Sequence, residues 1–495
     1  MQILWTGSDD IPEATTDWPG AVHRCAPSAE ALGAALGLPS FGNDTAVCLV
    51  DFEAGGRCAA TLDYLNRQHP GVPIGLVART AQRPEAFALL RSRKVDRIVP
   101  FEAFESGIDI HIKALSDHGR RIANLAHNAE TFSGKTLFIT GATGFLGGHF
   151  LRYLLRCTGA RVIALTRSNT ESAYHGRLAH LAQIHPGRIC CVEGDVREPG
   201  LGMGPSIEST IAGEVDSIWH FAADTRFEPL LRDELFRSNL FGTRNVVQFA
   251  RSLPGLRHFY HVSTAYVAGD QPPESVVPEA RLARPISFKN PYEESKYEAE
   301  CAVVESGLPA TIFRPSIILG ERVSGLCDGQ TVYKVAQLLR LARLSGQRSS
   351  SPAPQRFRVV VDPETTKNLV SADDVVCEMI RIASSASAPG GYHHLTHPEP
   401  TIMADLIAVI AGLLNIPEYE AVSNLDGAAL STSEAVLQRI SGVFKPYMLN
   451  SDPVFARACP EGWVPPMDQD SLEYLLQSFF EQHYGSDFQP VAVPV

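Results

Sequence analysis

Residues 135–157, KTLFITGATGFLGGHFLRYLLRC, constrain this chain more than any other stretch. An apolar run stops at a cluster of glycines, and a helix-spaced apolar pattern starts directly after them. Gly141, Gly144 and Gly147 recur at every third residue. Glycine is needed where φ is positive and where a second backbone or a phosphate must come close. The helix that follows turns its unpaired N–H groups and partial positive charge back onto the turn. Strand, glycine turn and helix in that order predict the opening unit of a parallel sheet. Its turn, Gly141, Thr143, Gly144, Phe145, Leu146 and Gly147, is expected to hold a dinucleotide pyrophosphate.

The segments downstream extend that unit. RVIALTR reads as a second strand ending in Arg167. An acidic residue there would accept from a free ribose 2′-hydroxyl, whereas a guanidinium suits a 2′-phosphate. Arg177, on the following helix, closes from the other side, so NADPH is favoured over NADH. RICCVEGDV gives a third strand ending in Asp195 and Val196, placed to meet an adenine ring. VDSIWHFAA gives a fourth, with Ala222 and Ala223 small enough for a cofactor to lie against the backbone. A long helix around FRSNLFGTRNVVQFA and a fifth strand, HFYHVSTAYV, follow. The expected architecture over 134–320 is a doubly wound Rossmann-type parallel sheet.

The chain has 495 residues, enough for two to four domains. A net charge of −12 weighs against nucleic acid as the main partner. No run of 18 apolar residues is present, and MQILWTGSDD lacks the basic-then-apolar pattern of a secretion signal. The ten cysteines are scattered without a C-x-x-C pair, which argues for reduced thiols in a cytoplasmic protein and against structural zinc or any other metal.

Residues 1–130 alternate short apolar runs (QILWTG, TAVCLVDF, VPIGLVAR, VDRIVPF) with helix-spaced segments. That alternation predicts a parallel sheet covered on both faces. Its strand ends carry Asp9 and Asp10, then Asp51, then Thr80. The order resembles the flavodoxin-like receiver domain of response regulators, with an acidic pair, an acceptor aspartate and a switch threonine. Val99 stands before Pro100 and Phe101 where that family has a lysine for the phosphoryl group. The resemblance therefore implies a degenerate receiver with a structural or dimerising role ahead of a phosphoswitch at Asp51. GIDIHIKALSDHGRRIANLAHNAE reads as the helix that closes this unit.

YEESK sets Tyr292 and Lys296 four residues apart, on one face of a helix that starts after KNP. A free phenol is a poor acid at neutral pH, and a nearby ammonium is expected to lower its pKa. In this order, ITGATGFLGG, HFAADTRFEP, NLFGT, HVSTAYVAG, NPYEESKYEAE and FRPSIILG resemble the extended short-chain dehydrogenase/reductases over residues 134–400. HVSTAYVAG and the Phe-Glu-Pro after AADTR are most similar to the fatty acyl-CoA reductases and the thioester-reductase domains of carrier-protein systems. The resemblance implies Tyr292 as the acid and Lys296 as its tuning cation and ribose ligand. It gives Thr264, ahead of Ser263, as the hydroxyl for the substrate carbonyl. Asn239 would hold a water behind the lysine, and Pro315 and Ser316 would line the cofactor. The implied reaction is NADPH-dependent reduction of an acyl thioester to an aldehyde, with a second step to the alcohol left open and no cysteine nucleophile required.

Residues 321–495 are expected to form a mostly helical substrate lobe, with 365–400 returning to the Rossmann core. Lys334, Arg340, Arg343, Arg348, Arg356 and Arg358 could receive the phosphates of coenzyme A or phosphopantetheine, or simply form a solvated face and loop. Asp373 and Asp374 are expected to cap a helix, and TIMADLIAVIAGLLNIP either to pack in the core or to line an acyl channel, the first being favoured. The acyl donor would come as acyl-CoA or on a carrier protein in trans, and a homodimer is left open. Two other readings keep the fold: a dehydrogenase or epimerase acting on a sugar nucleotide or hydroxysteroid-like alcohol, and an NADP-binding regulator or scaffold.

Overall fold

The computed structural model describes residues 2–6, 21–25, 46–52, 56–79, 82–92, 94–100, 103, 108–167, 173–347, 357–385, 390–416, 418–425, 429–457, 467–485 and 488. Five β-branched runs form the first sheet: β1 (Gln2–Thr6), β2 (Ala21–Cys25), β3 (Ala46–Asp51), β4 (Ile74–Ala78) and β5 (Arg97–Pro100). All pair in parallel, in the order β2-β1-β3-β4-β5. This is the doubly wound order of flavodoxin-type sheets, whose ligand crevice lies where β1 and β3 part. Helices Gly56–Gln68 and Arg83–Arg91 bury Leu62, Leu65, Phe87 and Leu90 on one face. The helix Ile108–Asn128 lays Ile112 and Leu115 on the other, over Ile3, Val47 and Val99. Asp51 is buried at the carboxyl end of β3. Asp9, Asp10 and Thr80, expected beside it, lie outside the described residues.

The second sheet contains β6 (Thr136–Thr140), β7 (Arg161–Thr166), β8 (Ile189–Glu193), β9 (Ser217–His220), β10 (His258–Val262), β11 (Ala310–Pro315) and β12 (Gly391–Leu395). Its order is β12-β11-β10-β9-β6-β7-β8, and every pair is parallel. The order reverses between β6 and β9, where open α/β sheets bind their ligands. One face packs Trp219 and Tyr260 under helices Phe145–Cys157 and Ala372–Ser384. The other packs Phe138, Ile218 and Phe259 under helices Gly242–Ser252 and Pro291–Glu305. A lobe built on helices Val332–Gln347, Met403–Leu413 and Gln469–Tyr484 closes over one end around Tyr333, Leu406, Ile410 and Phe479. Among the described residues no helix is long and apolar enough to cross a membrane.

Several local expectations are corrected. β8 stops at Glu193, so Asp195 and Val196 sit in the turn after it, where Gly194 lets the chain pass against Leu201. The long helix is present, running through Arg232–Phe236 and Gly242–Ser252, but carries a π-helical turn at Arg237–Phe241 that the sequence pattern did not predict. Asp373 and Asp374 do not cap their helix: Ser371 does, accepting from the Asp374 N–H. The two carboxylates pair instead with Arg121 and Arg322. Of the proposed basic cluster, Arg358 is bound to Glu434 and Arg340 lies over the Tyr484 ring at 3.9 Å. Arg348 and Arg356 are outside the described residues. The helix Met403–Leu413 packs in the core of the lobe, as its apolar pattern predicts.

The two sheets are joined through a buried ionic cluster. Asp96, at the start of β5, receives Arg156 at 2.7 Å, Arg152, and His118 at 3.3 Å. Arg152 also donates to Glu321 at 3.0 Å. Arg97 donates to the Val323 carbonyl at 2.8 Å and stacks on Tyr474. Burial works against the Asp96 carboxylate, but Arg156 and Arg152 outweigh it and hold its pKa well below the usual range.

Candidate active site

A cavity of about 1370 Å³ opens at the carboxyl ends of β6 to β11 and runs on under the helical lobe. The glycine turn forms one end. Gly141 has φ +73°, and a Cβ there would sit 2.7 Å from the Ala222 nitrogen and 2.9 Å from the Phe221 carbonyl carbon. A Cβ on Gly147 would fall on the carbonyl oxygen of Gly141. The turn is thus pressed against the end of β9, leaving the amino end of the helix Phe145–Cys157 facing the cavity without side chains in the way. That fits a pyrophosphate held by backbone N–H groups.

Thr143, Gly144, Phe145, Leu146 and Gly147 all line the cavity, as do Ala222 and Ala223, Asp195 and Val196, and Pro315 and Ser316. Arg167 stands one residue beyond β7 on the same wall. The side chain of Arg177 lies outside the described residues. Asp195 is engaged by Arg197, whose Nε and Nη2 donate to Oδ2 at 3.0 and 2.6 Å. Asp224 is held the same way by Arg226, with Nε to Oδ1 at 2.9 Å. Sequence reasoning missed both arginines, although the repeated D-x-R spacing, DVR and DTR, marks them. Burial acts against both carboxylates, and the paired arginine, with Arg167 behind it, lowers their pKa values.

Helix Pro291–Glu305 starts where it does because Asn290 caps it, accepting from the Glu293 N–H at 3.0 Å, with Pro291 in the first turn. It delivers Tyr292 and Lys296 to the cavity wall, facing Thr264 at the end of β10. The Thr264 hydroxyl meets the Tyr292 phenol and also donates to the Pro315 carbonyl at 3.3 Å. Ser263 lines the cavity too, and its buried hydroxyl has no partner among the described residues.

Lys296 donates to the Val262 carbonyl at 2.7 Å, and burial, opposed by Glu300, lowers its pKa to about 8. The expectation that this ammonium brings the phenol down is not met. Burial and then the Glu293 carboxylate push Tyr292 up, and the Thr264 hydroxyl alone opposes them. A buried phenol beside an anion resists ionisation, so Tyr292 stands in the site as a proton-bearing donor.

Asn239 sits at the centre of the π-turn, buried, and does not belong to the cavity wall. Its Oδ1 accepts from the Asp224 N–H at 2.8 Å, while Nδ2 donates to the Asp224 carbonyl at 2.9 Å and to Ser295 at 2.8 Å. It therefore ties the loop after β9 to the Tyr292 helix. Sequence reasoning also missed the aromatic wall. Phe227 stacks on Tyr447 (centroids 5.7 Å apart) and stands 5.8 Å from Tyr292. Tyr447 donates to the buried Glu293 at 2.6 Å, fastening the helical lobe beside the phenol. Residue 447 is 154 positions from Glu293 and farther still from Phe227, and nothing local in PYML announces it. Beyond this wall the cavity is lined by Val335, Leu338, Leu341, Met403 and Val443.

Residues 139–374 match the family model described as "Male sterility protein", an NAD-binding family. The chain is 28% identical to fatty acyl-CoA reductase wat of Drosophila melanogaster over 261 residues, covering 44% of this chain and 50% of that protein. It is 31% identical to the isonitrile lipopeptide synthase of Streptomyces coeruleorubidus over 204 residues, covering 38% of this chain and 13% of the relative. The chain thus spans half or less of the length of these curated relatives. Its fold is similar to the terminal R domain of the myxalamid PKS-NRPS biosynthetic pathway, at TM-score 0.58 and 22% identity, covering 76% of this chain and 99% of that one.

Proposed function

We propose that this chain is an NADPH-dependent reductase that converts an acyl thioester, presented on coenzyme A or on a carrier protein, to an aldehyde and a free thiol. The observation that carries the reading is convergence. Thr264, Tyr292 and Lys296 share one cavity with the glycine cradle at one end and an apolar lobe at the other. The similarity to a fatty acyl-CoA reductase and to a lipopeptide synthase supports the thioester as substrate.

When bound, the coenzyme supplies a hydride for the carbonyl carbon. The residues of this chain manage the oxygen. The Thr264 and Tyr292 hydroxyls receive the charge that develops there, and Tyr292 gives up its proton to it. Lys296, an ammonium below about pH 8, steadies the phenolate that remains. Collapse of the protonated adduct breaks the carbon–sulfur bond and releases thiol and aldehyde. The step needs no protein thiolate, and among the described residues no cysteine lines the cavity. Arg167 favours the 2′-phosphate of NADPH. In this reading the N-terminal sheet is a receiver-like unit with a structural role, since Val99 is fully buried where a phosphoryl-binding lysine would be needed.

The test is a panel of acyl-CoA and carrier-bound thioesters scored by NADPH consumption and aldehyde formation. Tyr292→Phe is expected to lower kcat by about 100-fold or more, the range of a lost general acid. Tight NADPH binding with no thioester turned over would sink the proposal.

A further inference from the structure

Behind Lys296 lies a polar layer buried between the sheet and the helices Gly242–Ser252 and Pro291–Glu305. Its hydrogen bonds close in only one direction. The Thr243 hydroxyl donates to the Asn239 carbonyl at 2.5 Å, so it must accept from His220 Nε2 at 2.9 Å. His220 Nδ1 is then an acceptor and takes the proton of the Thr140 hydroxyl at 2.7 Å. Thr140 in turn accepts from the Ala222 N–H at 3.3 Å. Both ring nitrogens of His220 are therefore committed, and neither can serve Lys296.

His261 is different. It is His220's neighbour across β9 and β10, with ring centroids 5.4 Å apart, and it is fully buried. Neither of its nitrogens has a hydrogen-bond partner among the described residues. Ser263, two residues on along extended backbone and hence on the same face of the strand, has an equally unpartnered hydroxyl. Between them is the Val262 carbonyl that Lys296 already holds. An ammonium has three donors, its charge reaches His261, and Ser263 lines the same cavity; a water bridging them would pair a buried imidazole and hydroxyl that flank the carbonyl the ammonium holds.

We propose that His261, with Ser263, is a positioning residue for Lys296: through one buried water the neutral imidazole accepts from the ammonium and keeps it charged and aimed at the cavity. The inference rests on the function proposed above, but its own test does not need turnover. The titratable groups facing Lys296 are His220 on β9, His261 on β10, and Tyr292 and Glu300 on its own helix. Glu300 is held by Arg314 of β11 at 3.1 Å. Burial and the ammonium keep both histidines uncharged, His220 at about 3 and His261 well below its ordinary value. Neither therefore competes with Lys296 for positive charge at neutral pH.

The experiment is carbon-13 NMR of ε-labelled lysine in the coenzyme-free full chain, with the Lys296 resonance assigned from Lys296→Arg. Wild type should titrate near 8. His261→Phe, which removes the acceptor and keeps the bulk, should lower that midpoint by about one unit, the scale of one lost charge-assisted bond. His261→Gln should restore it. Ser263→Ala, a milder change that keeps the test open if the phenylalanine variant does not fold, should shift it the same way by less. In the thioester assay the alkaline limb of kcat/KM should move with the NMR midpoint. Unchanged midpoints in folded His261→Phe and Ser263→Ala would overturn the inference. So would a shift that glutamine fails to reverse. A wild type that titrates as expected yet turns over no thioester would instead count against the function and leave the lysine's seat standing.

Discussion

At the scale of single residues, the cofactor end of the cavity is governed by guanidinium groups and the carboxylates they hold. Arg197 and Arg226 neutralise Asp195 and Asp224, so Arg167, next to both, faces a wall whose negative charge is already answered. Arg167→Ala is expected to raise KM for NADPH about 10- to 100-fold, the value of a charge-assisted contact, and to leave KM for NADH nearly unchanged. Initial rates with the two coenzymes measure this directly, and equal losses for both would remove Arg167 from coenzyme choice. That the glycine turn lines the cavity was legible from its strand–turn–helix setting, and that Thr264, Tyr292 and Lys296 do so was legible only through the family resemblance of the ordered motifs. Phe227 and Tyr447 were not, because an aromatic residue reads the same whether it lines a site or fills a core. The rise of the Tyr292 pKa was also hidden, since it depends on burial and on which way Glu293 turns.

Among the elements, the helix Thr432–Ile440 shows how a short segment is pinned in the substrate lobe. Ser431 and Glu434 form a reciprocal cap, and Glu434 also receives Arg358 at 2.7 Å. Burial acts against this carboxylate, yet the Arg358 and Ser431 bonds bring its pKa to about 2. A folded value below the unfolded one near 4.3 makes the contribution full above that unfolded value. It is lost as pH falls toward 2. Glu434→Gln should therefore unfold at a lower temperature than wild type at pH 7. Thermal denaturation curves of the two proteins should draw together between about pH 4.3 and 2; a gap that stays constant with pH would deny the carboxylate this role. The S-x-x-E spacing of STSE fits this reciprocal cap, whereas no local pattern announces the arginine across it, because β-strand Phe357–Val360 reaches it only through the folded lobe. The π-turn at Asn239 belongs here too: the helix runs on through it, and the tertiary bonds to Asp224 and Ser295 hold the extra residue in place.

For the whole molecule, the cluster around Asp96 decides whether the two sheets act as one body. It links β5 to the helix whose amino end faces the coenzyme cradle, and through Arg152 to Glu321, a few residues before the cavity-lining Asp328. Asp96→Asn leaves Arg156 without its anion and Arg152 with Glu321 alone, and should destabilise the protein by about 3–5 kcal/mol. Because the Asp96 pKa is depressed, its share of stability is full above the unfolded value near 3.9 and fades as pH falls through the folded one. Unfolding monitored at pH 7 and pH 3 should show a large gap between variant and wild type at the first and a smaller one at the second. An equal gap at both would mean that the charge of Asp96 is not what joins the sheets. The amino-acid sequence alone determined both parallel sheets, the glycine turn and the Tyr–Lys helix, because periodicity, β-branching and glycine placement act within a few residues. Only the tertiary structure decided which carboxylates meet which arginines, where Tyr447 and Phe227 close the cavity, and that the Lys296 charge falls within reach of two buried histidines. Those depend on burial and on partners brought together from distant parts of the chain, and no local pattern encodes either.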